Sequence, residues 1–270
     1  MKIFTLLIVT IVCVGATAEA QSIWTDRSSD RAIGVELLAP NFGGNSTVYS
    51  GYVLTLSSRI ALSNSLRLVI EAPFAHGTIT TSSSSLSQNI VGNPYLGLEI
   101  ATRKPFLYME VGARIPIVSD EQDIATTIGV RSDIDRFEAY APNIVQISGA
   151  VNIQPVITSG LGFRLRIGPT YDIGIRQPSN TVTTQSSDLY LLYSEQLYYK
   201  NELVNIGLGL TGRTILTNAR TNDRTVDMFE VAAKMYIGKF EPGMTMRLPL
   251  DQSLSNVLDF TYGFTVEMVL

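Results

Sequence analysis

The stretch LGFRLRIGPTYDIGIR, residues 161–176, alternates without a break. Its odd positions read Leu161, Phe163, Leu165, Ile167, Pro169, Tyr171, Ile173 and Ile175. Its even positions read Gly162, Arg164, Arg166, Gly168, Thr170, Asp172, Gly174 and Arg176. A period of two sends the two sets to opposite faces of a β-strand, one apolar and one charged. Globular strands usually run about 5–6 residues, so the length of this pattern constrains the fold as much as its phase does.

The same alternation recurs from Leu66 to Phe74, Leu107 to Ile117, Val145 to Ile153, Val204 to Leu210 and Leu258 to Leu270. Twelve strands are predicted, at about 31–39, 47–62, 66–76, 93–103, 106–117, 143–156, 161–176, 188–199, 203–217, 226–239, 244–250 and 256–270. The pattern is poorest in LYLLYSEQLYY, within 188–199. Tight turns rich in turn-forming residues fall at Ser63 to Ser65, Lys104-Pro105, Thr158 to Gly160, Lys200 to Glu202 and Glu241 to Gly243. Longer links lie between them, at 40–46, 77–92, 118–142, 177–187, 218–225 and 251–255. Short turns at one end and long loops at the other describe an antiparallel up-and-down sheet. An even strand number places both termini at the short-turn, periplasmic end.

A soluble sandwich also has one apolar face, and strand length separates the two readings. Fourteen steps from Leu161 to Ile175 span roughly 46 Å at about 3.3 Å each, or about 35 Å along the axis at a 40° tilt. The apolar band of an outer-membrane barrel is about 25 Å tall, which such a strand crosses with ends to spare. Phe163 and Tyr171 stand on the apolar face about 20 Å apart along that axis, as interfacial aromatics do. Hydrocarbon offers no water to unpaired backbone groups, so the sheet has to close on itself. The expected fold is all-β: a single up-and-down antiparallel transmembrane β-barrel of about 12 strands, over residues 21–270.

The N-terminus fits export. Lys2 precedes an apolar run from Ile3 to Val14, too short to span a bilayer, and Ala18-Glu19-Ala20 matches a cleavage site. Residues 1–20 are read as a signal peptide. Cys13 is the only cysteine and leaves with it, so disulfides and thiol chemistry are excluded from the mature chain. A net charge of −4 argues against nucleic acid as a partner.

The predicted inner face carries both signs. The lumen-lining candidates are Arg67, Glu71, Glu99, Glu110, Arg114, Arg164, Arg166, Asp172, Arg176 and Arg213, with Arg59, Arg103, Glu230, Lys234, Arg247, Asp259 and Glu267 on the same face. Confined charges need partners. A salt-bridge network filling a narrow barrel is the plainer reading, and arginines lining an anion path is the sharper one. A two-residue turn at Lys104-Pro105 sets Glu99 opposite Glu110, which calls for an arginine clamp, with Arg67 as candidate. A turn at Thr158 to Gly160 sets Arg164 opposite Gln154 and Arg166 opposite Asn152. Inward Gly97 and Gly112 leave room either for Tyr95 or Tyr108 to lie across the wall or for a wider pore.

Thr78 to Asn89, TITTSSSSLSQN, reads as an outer loop. In the longest link, Ile124, Ile128, Ile134 and Phe137 have near-helical spacing. That link is expected to cap the barrel mouth, with folding into the lumen as the alternative. No catalytic constellation is visible. The sole histidine, His76, has nearby serines only in a flexible run, and no metal or cofactor spacing exists.

The chain resembles bacterial outer-membrane β-barrels, and its last strand FTYGFTVEMVL is similar to their C-terminal assembly signal, though Leu270 stands where an aromatic is usual. More narrowly, LRLVIEAPF (66–74), GNPYLGLEI (92–100) and DIDRFEAYAP (133–142) resemble the transporter-like barrels grouped with phenol-degradation pathways. The resemblance implies passage of small molecules, hydrophobic ones among them, and assembly by the barrel-assembly machinery through the last strand; the apolar face calls for outer-membrane lipid, and no cofactor is expected from the residues. The expected function is an outer-membrane channel or transporter for small molecules. The alternative is a closed structural or surface-interaction barrel without transport.

Overall fold

A computed structural model describes residues 32–43, 48–102, 104, 106–119, 121–175, 187–217 and 225–270. The predicted signal peptide at 1–20, and Arg103 and Arg176, lie outside the described residues. Among the described residues thirteen strands form one antiparallel sheet: β1 (Ala32–Asn41), β2 (Val48–Ala61), β3 (Leu66–Thr80), β4 (Ser85–Val91), β5 (Tyr95–Ala101), β6 (Leu107–Arg114), β7 (Ile144–Ile153), β8 (Leu161–Gly174), β9 (Ser187–Lys200), β10 (Val204–Ile215), β11 (Thr225–Met235), β12 (Phe240–Pro249) and β13 (Phe260–Val269). β4 pairs with the upper half of β3 and β5 with its lower half, so the two share one position in the wall. The wall is therefore a closed barrel of 12 strands. It closes where β1 pairs with β13 over ten residues, from Ala32 opposite Val269 to Asn41 opposite Phe260.

The opening stretch behaves as its pattern demands. Along β8, Gly162, Arg164, Arg166, Gly168, Thr170 and Asp172 are buried, while Pro169 and Tyr171 are exposed. Outside, Leu96, Leu98, Ile100, Met109, Val111, Ile206, Leu208, Leu210, Met244, Met246 and Phe264 stand exposed. A belt of that composition belongs in hydrocarbon, because in water it would be an unbroken apolar patch. No described helix is long and apolar enough to cross a membrane; the crossing elements are strands.

The poorly alternating β9 puts one charge on the wrong side. Glu195 sits opposite Leu165 and Leu210 on the outer face, half-buried among apolar neighbours.

Several sequence expectations need correction. Residues 77–92 are not a loop: β3 runs on to Thr80, turns at 81–84 and returns as β4, with Thr78 paired to Ser87 and Thr80 to Ser85. Ser and Thr suit a polar, two-sided strand pair as well as a loop, so composition misled. The reversal between β11 and β12 lies at 237–239, where Gly238 takes φ 63°, and not at Glu241 to Gly243. Glu241 consequently turns inward and is buried. Asp259, expected inward, is exposed, because β13 begins only at Phe260 after a short helix α2 (Gln252–Ser255). The largest correction concerns the longest link. It does not cap the mouth; it enters the lumen.

Candidate functional site

Residues 115–119 and 121–143 leave β6, enter the barrel and return to β7. They form helix α1 (Asp123–Ser132) and a 3-10 turn (Ile134–Ala139). Two features steer the chain inward. Gly92-Asn93-Pro94 breaks the ladder between β4 and β5, and Pro94 has no N–H to restore it. Asn93, fully buried in that gap, clasps both ends of the segment. Its Nδ2 donates to the carbonyls of Glu138 and Ala141, each at 2.8 Å. Its Oδ1 accepts from the backbone N–H groups of Ile117 at 2.7 Å and Val118 at 3.0 Å. One side chain thus satisfies four backbone groups at the two ends of the segment.

α1 lies on the inner face of β1 to β4 at the long-loop end. Tyr140 is buried there with Leu38, Val53, Ala75 and Ile90, and Ile128, fully buried, lies against Gly51 and Gly77. Burial of each large side chain stabilises the docked state by about 1.5–3 kcal/mol. The seat requires small residues: a Cβ at Gly77 would stand 2.8 Å from Ile128 Cγ1 and 2.9 Å from the Ile124 carbonyl oxygen, and one at Gly129 would stand 2.3 Å from the Tyr140 ring.

The 3-10 turn is held by charge. Asp133 accepts from Arg136 Nε at 2.6 Å and from Arg247 Nη1 at 3.2 Å. Arg136 also pairs with Glu36 of β1, and Arg247 reaches the same Glu36 at 3.3 Å and Glu230 at 3.1 Å. Arg114 holds Glu71 at 2.5 Å and donates to the Asn93 carbonyl at 3.2 Å. Arg213 donates to Glu138 at 2.7 Å, approaches Asp172 at 3.9 Å and lies between the rings of Phe137 and Tyr190, at 3.9 and 4.1 Å from their centroids. Thr211 donates to both oxygens of Asp135, at 3.2 and 3.3 Å. Burial pushes the Asp135 carboxyl up to about 7; Arg247 opposes the shift, and Asp133 and Glu230 add to it. Burial alone would raise Asp133 too, but Arg136 and Arg247 hold it below the usual carboxylate range.

The short-turn half of the lumen is organised differently. Glu99 does lie opposite Glu110, and each carboxylate has its own arginine. Arg67 meets Glu99 at 2.9 Å, with Arg59 at 3.9 Å, while Arg166 meets Glu110 at 3.1 Å. Tyr95 donates its hydroxyl to Glu110 at 2.8 Å, and its ring fills the space left by Gly97 and Gly112. Arg166 sits opposite Asn152 as the turn predicts and donates to its Oδ1 at 3.1 Å. Arg164 donates to Gln196 Oε1 at 2.5 Å. Farther round, Lys234 joins Glu241 at 2.6 Å and Glu267 at 2.8 Å. A void of about 10 Å³ lies among Tyr95, Glu110, Ser148, Arg166 and Thr170, room for about one water.

Of the candidate residues, Glu71, Arg114, Asp172 and Arg213 meet the inserted segment or its immediate partners. Arg67, Glu99, Glu110, Arg164 and Arg166 form the lower group, and Arg176 lies outside the described residues. Glu36, Asn93, Asp133, Asp135, Arg136 and Glu138 were not singled out as lumen residues. The signal for the last four was the charge density of DIDRFEAYAP, unusual for a surface cap that carries apolar residues at helical spacing. His76 faces outward beside Tyr52 and bonds Asn89 Oδ1 through Nδ1 at 2.8 Å; a hydroxyl, Thr78 Oγ1, lies 3.4 Å from Nε2. Among the described residues no three His, Cys, Asp or Glu side chains converge as metal ligands.

No family model matches the chain, and no curated protein matches it. Solved structures do. A COG4313 outer membrane channel from Pseudomonas putida F1 superposes with a TM-score of 0.64 at 12% identity, covering 93% of this chain and 99% of that one. The translocator domain of the autotransporter NalP from Neisseria meningitidis gives 0.57 at 8% identity, covering 98% of this chain and 95% of the other. The NanC porin gives 0.54 at 11% identity, covering 87% and 100%. The chain therefore has the fold of an outer-membrane β-barrel. That fold serves a channel, a porin and a translocator alike, so the lumen has to decide the function.

Proposed function

We propose that this chain is an outer-membrane channel for small molecules, hydrophobic ones included, in which residues 118–142 set the bore. The observation that carries the reading is the way the segment is held. Its 3-10 turn is fastened to the wall by side-chain ion pairs and hydrogen bonds, so it can rearrange without unzipping a single ladder of the barrel. The likeness of fold to a channel and a porin supports the reading. The three stretches that resemble transporter-like barrels grouped with phenol-degradation pathways support the solute class. They meet in space: Glu71 lies in the first, Asn93 in the second, and Asp133, Arg136 and Glu138 in the third.

The second reading, a closed barrel serving structure or surface interaction, is favoured by the density of the lower ion-pair network and the small void within it. Conductance separates them. In planar bilayers the wild type is expected to give a small, steady, solute-blockable current. The double variant Asp133→Asn/Arg136→Gln is expected to raise it several-fold while keeping heat-modifiable migration. Absence of current from both folded proteins would establish the closed barrel instead.

A further inference from the structure

The inner face of β7, β8 and β9, below the inserted segment, has more hydrogen-bond donors than acceptors. Asn152 on β7 lies opposite Arg166 on β8, and Gln196 on β9 lies opposite Arg164 two residues below. The arginines have donors only, so the amide oxygens must be what they meet, and this fixes the orientation of both amides. Asn152 Oδ1 and Gln196 Oε1 are thereby occupied, and the two amide NH2 groups point elsewhere. Neither Asn152 Nδ2 nor Gln196 Nε2 has a hydrogen-bond partner, and Arg166 Nε has none either. The three residues are 1%, 2% and 6% exposed. A buried donor left unmade costs about 1–3 kcal/mol, so three in two adjacent rows of one wall need an account.

Charge points the same way. The wall from β2 to β9 at this level carries Arg59, Arg67, Arg164 and Arg166 against Glu99 and Glu110. Cross-strand neighbours stand about 4.5–5.5 Å apart, close enough for one ligand to meet donors from adjacent strands. A ligand that answers this patch has several acceptor atoms, no donors and negative charge.

We propose that Asn152, Arg166 and Gln196 form a binding site for an oxyanion, the phosphate or carboxylate group of a small solute, with Arg164 orienting Gln196 from the neighbouring strand. The oxyanion accepts from both amides and from Arg166 Nε, while Glu110 keeps the other edge of that guanidinium engaged. A halide has the charge but cannot present oxygens to donors on three strands.

The test uses detergent-solubilised, folded barrel and the midpoint of its heat-modifiable gel shift. Inorganic phosphate is compared with sodium chloride at equal ionic strength, and sodium acetate forms a further arm. Phosphate, acetate or both are expected to raise the wild-type midpoint by several degrees over chloride. The isosteric variants Asn152→Asp and Gln196→Glu carry their own acceptor charge, so each is expected to lose the oxyanion response and to melt higher than wild type in chloride. A wild type indifferent to both oxyanions, or variants that keep the full wild-type shift, would overturn the site. Binding read this way is independent of conductance, so failure here and failure of the channel reading are told apart.

Discussion

The two halves of the lumen solve the burial of charge in opposite ways. At the long-loop level, Arg114, Arg136, Arg213 and Arg247 face Glu36, Glu71, Asp133, Asp135, Glu138, Asp172 and Glu230: four cations against seven carboxyl groups, four of these eleven groups supplied by the inserted segment itself. At the short-turn level, between β2 and β9, arginines outnumber glutamates and the donors exceed the acceptors. The first region is acidic and binds part of its own chain. The second is basic and leaves amide donors over. Under the proposed function the two regions divide the labour along one axis: the upper network governs passage and the lower wall meets what passes.

The comparison breaks first if the upper network is not the stronger of the two. Arg247 is 1% exposed and serves Glu36, Asp133 and Glu230. Arg247→Ala takes one cation from three buried carboxylates, leaving Glu36 and Asp133 to Arg136 alone and Glu230 to the Thr245 hydroxyl, and is expected to cost about 3–5 kcal/mol of barrel stability. Arg67→Ala leaves Glu99 near Arg59 and is expected to cost about 1–3 kcal/mol. Denaturant midpoints of the refolded barrels measure both, and equal losses would erase the distinction.

Next in size is the seat of α1. Gly77→Val sets a side chain against Ile128 and the Ile124 carbonyl, so α1 should leave its seat while the wall persists. Single-channel current several-fold above wild type, with heat-modifiable migration kept, is the expected result. Unchanged current would mean that the upper region does not govern passage.

A smaller effect concerns the outside of the wall. Glu195→Leu removes a carboxyl group from the lipid-facing side of β9 and is expected to stabilise the barrel by about 1–2 kcal/mol, less than a basic residue would at that depth. Equilibrium refolding into lipid vesicles reads it.

The smallest is a pH dependence. Asp135 has its carboxyl pushed up to about 7 when docked, against 3.8 for the free group. The docked segment then holds a proton between about pH 4 and 7 that the undocked segment releases, so docking is strongest at low pH and weakens as pH rises through 7. Current at pH 8 should exceed that at pH 5, and Asp135→Asn should flatten the difference.

Much of the wall was legible because alternation, strand length and turn spacing all act locally. The Glu99–Glu110 register and the Arg166–Asn152 pair follow from counting residues round two tight turns. Turn position failed where the residue that mattered was Gly238, whose positive φ outweighs the turn-like look of Glu241 to Gly243. The lumen was half legible. Period two marks which charges point inward, but partners at opposite ends of the chain meet only through barrel closure, as Glu36 of β1 does with Arg247 of β12, two strands round the wall. The inserted segment was misjudged because apolar residues at helical spacing do not say which surface they cover. Asn93 carries its meaning only once the break between β4 and β5 is known.

The inserted segment reaches across the lumen to β10, where Asp135 meets Thr211 and Glu138 meets Arg213. The mature chain has no cysteine if cleaved after Ala20, so engineered pairs can be read cleanly. Asp135→Cys with Thr211→Cys, treated with a short thiol crosslinker in the folded barrel, should join the segment to β10 and shift the denatured chain on a gel. Thr78→Cys with Ser87→Cys, whose native hydroxyls lie 2.8 Å apart in the β3–β4 hairpin, serves as the control. A crosslinked control beside an unlinked Asp135/Thr211 pair would place the segment outside the lumen and contradict the account.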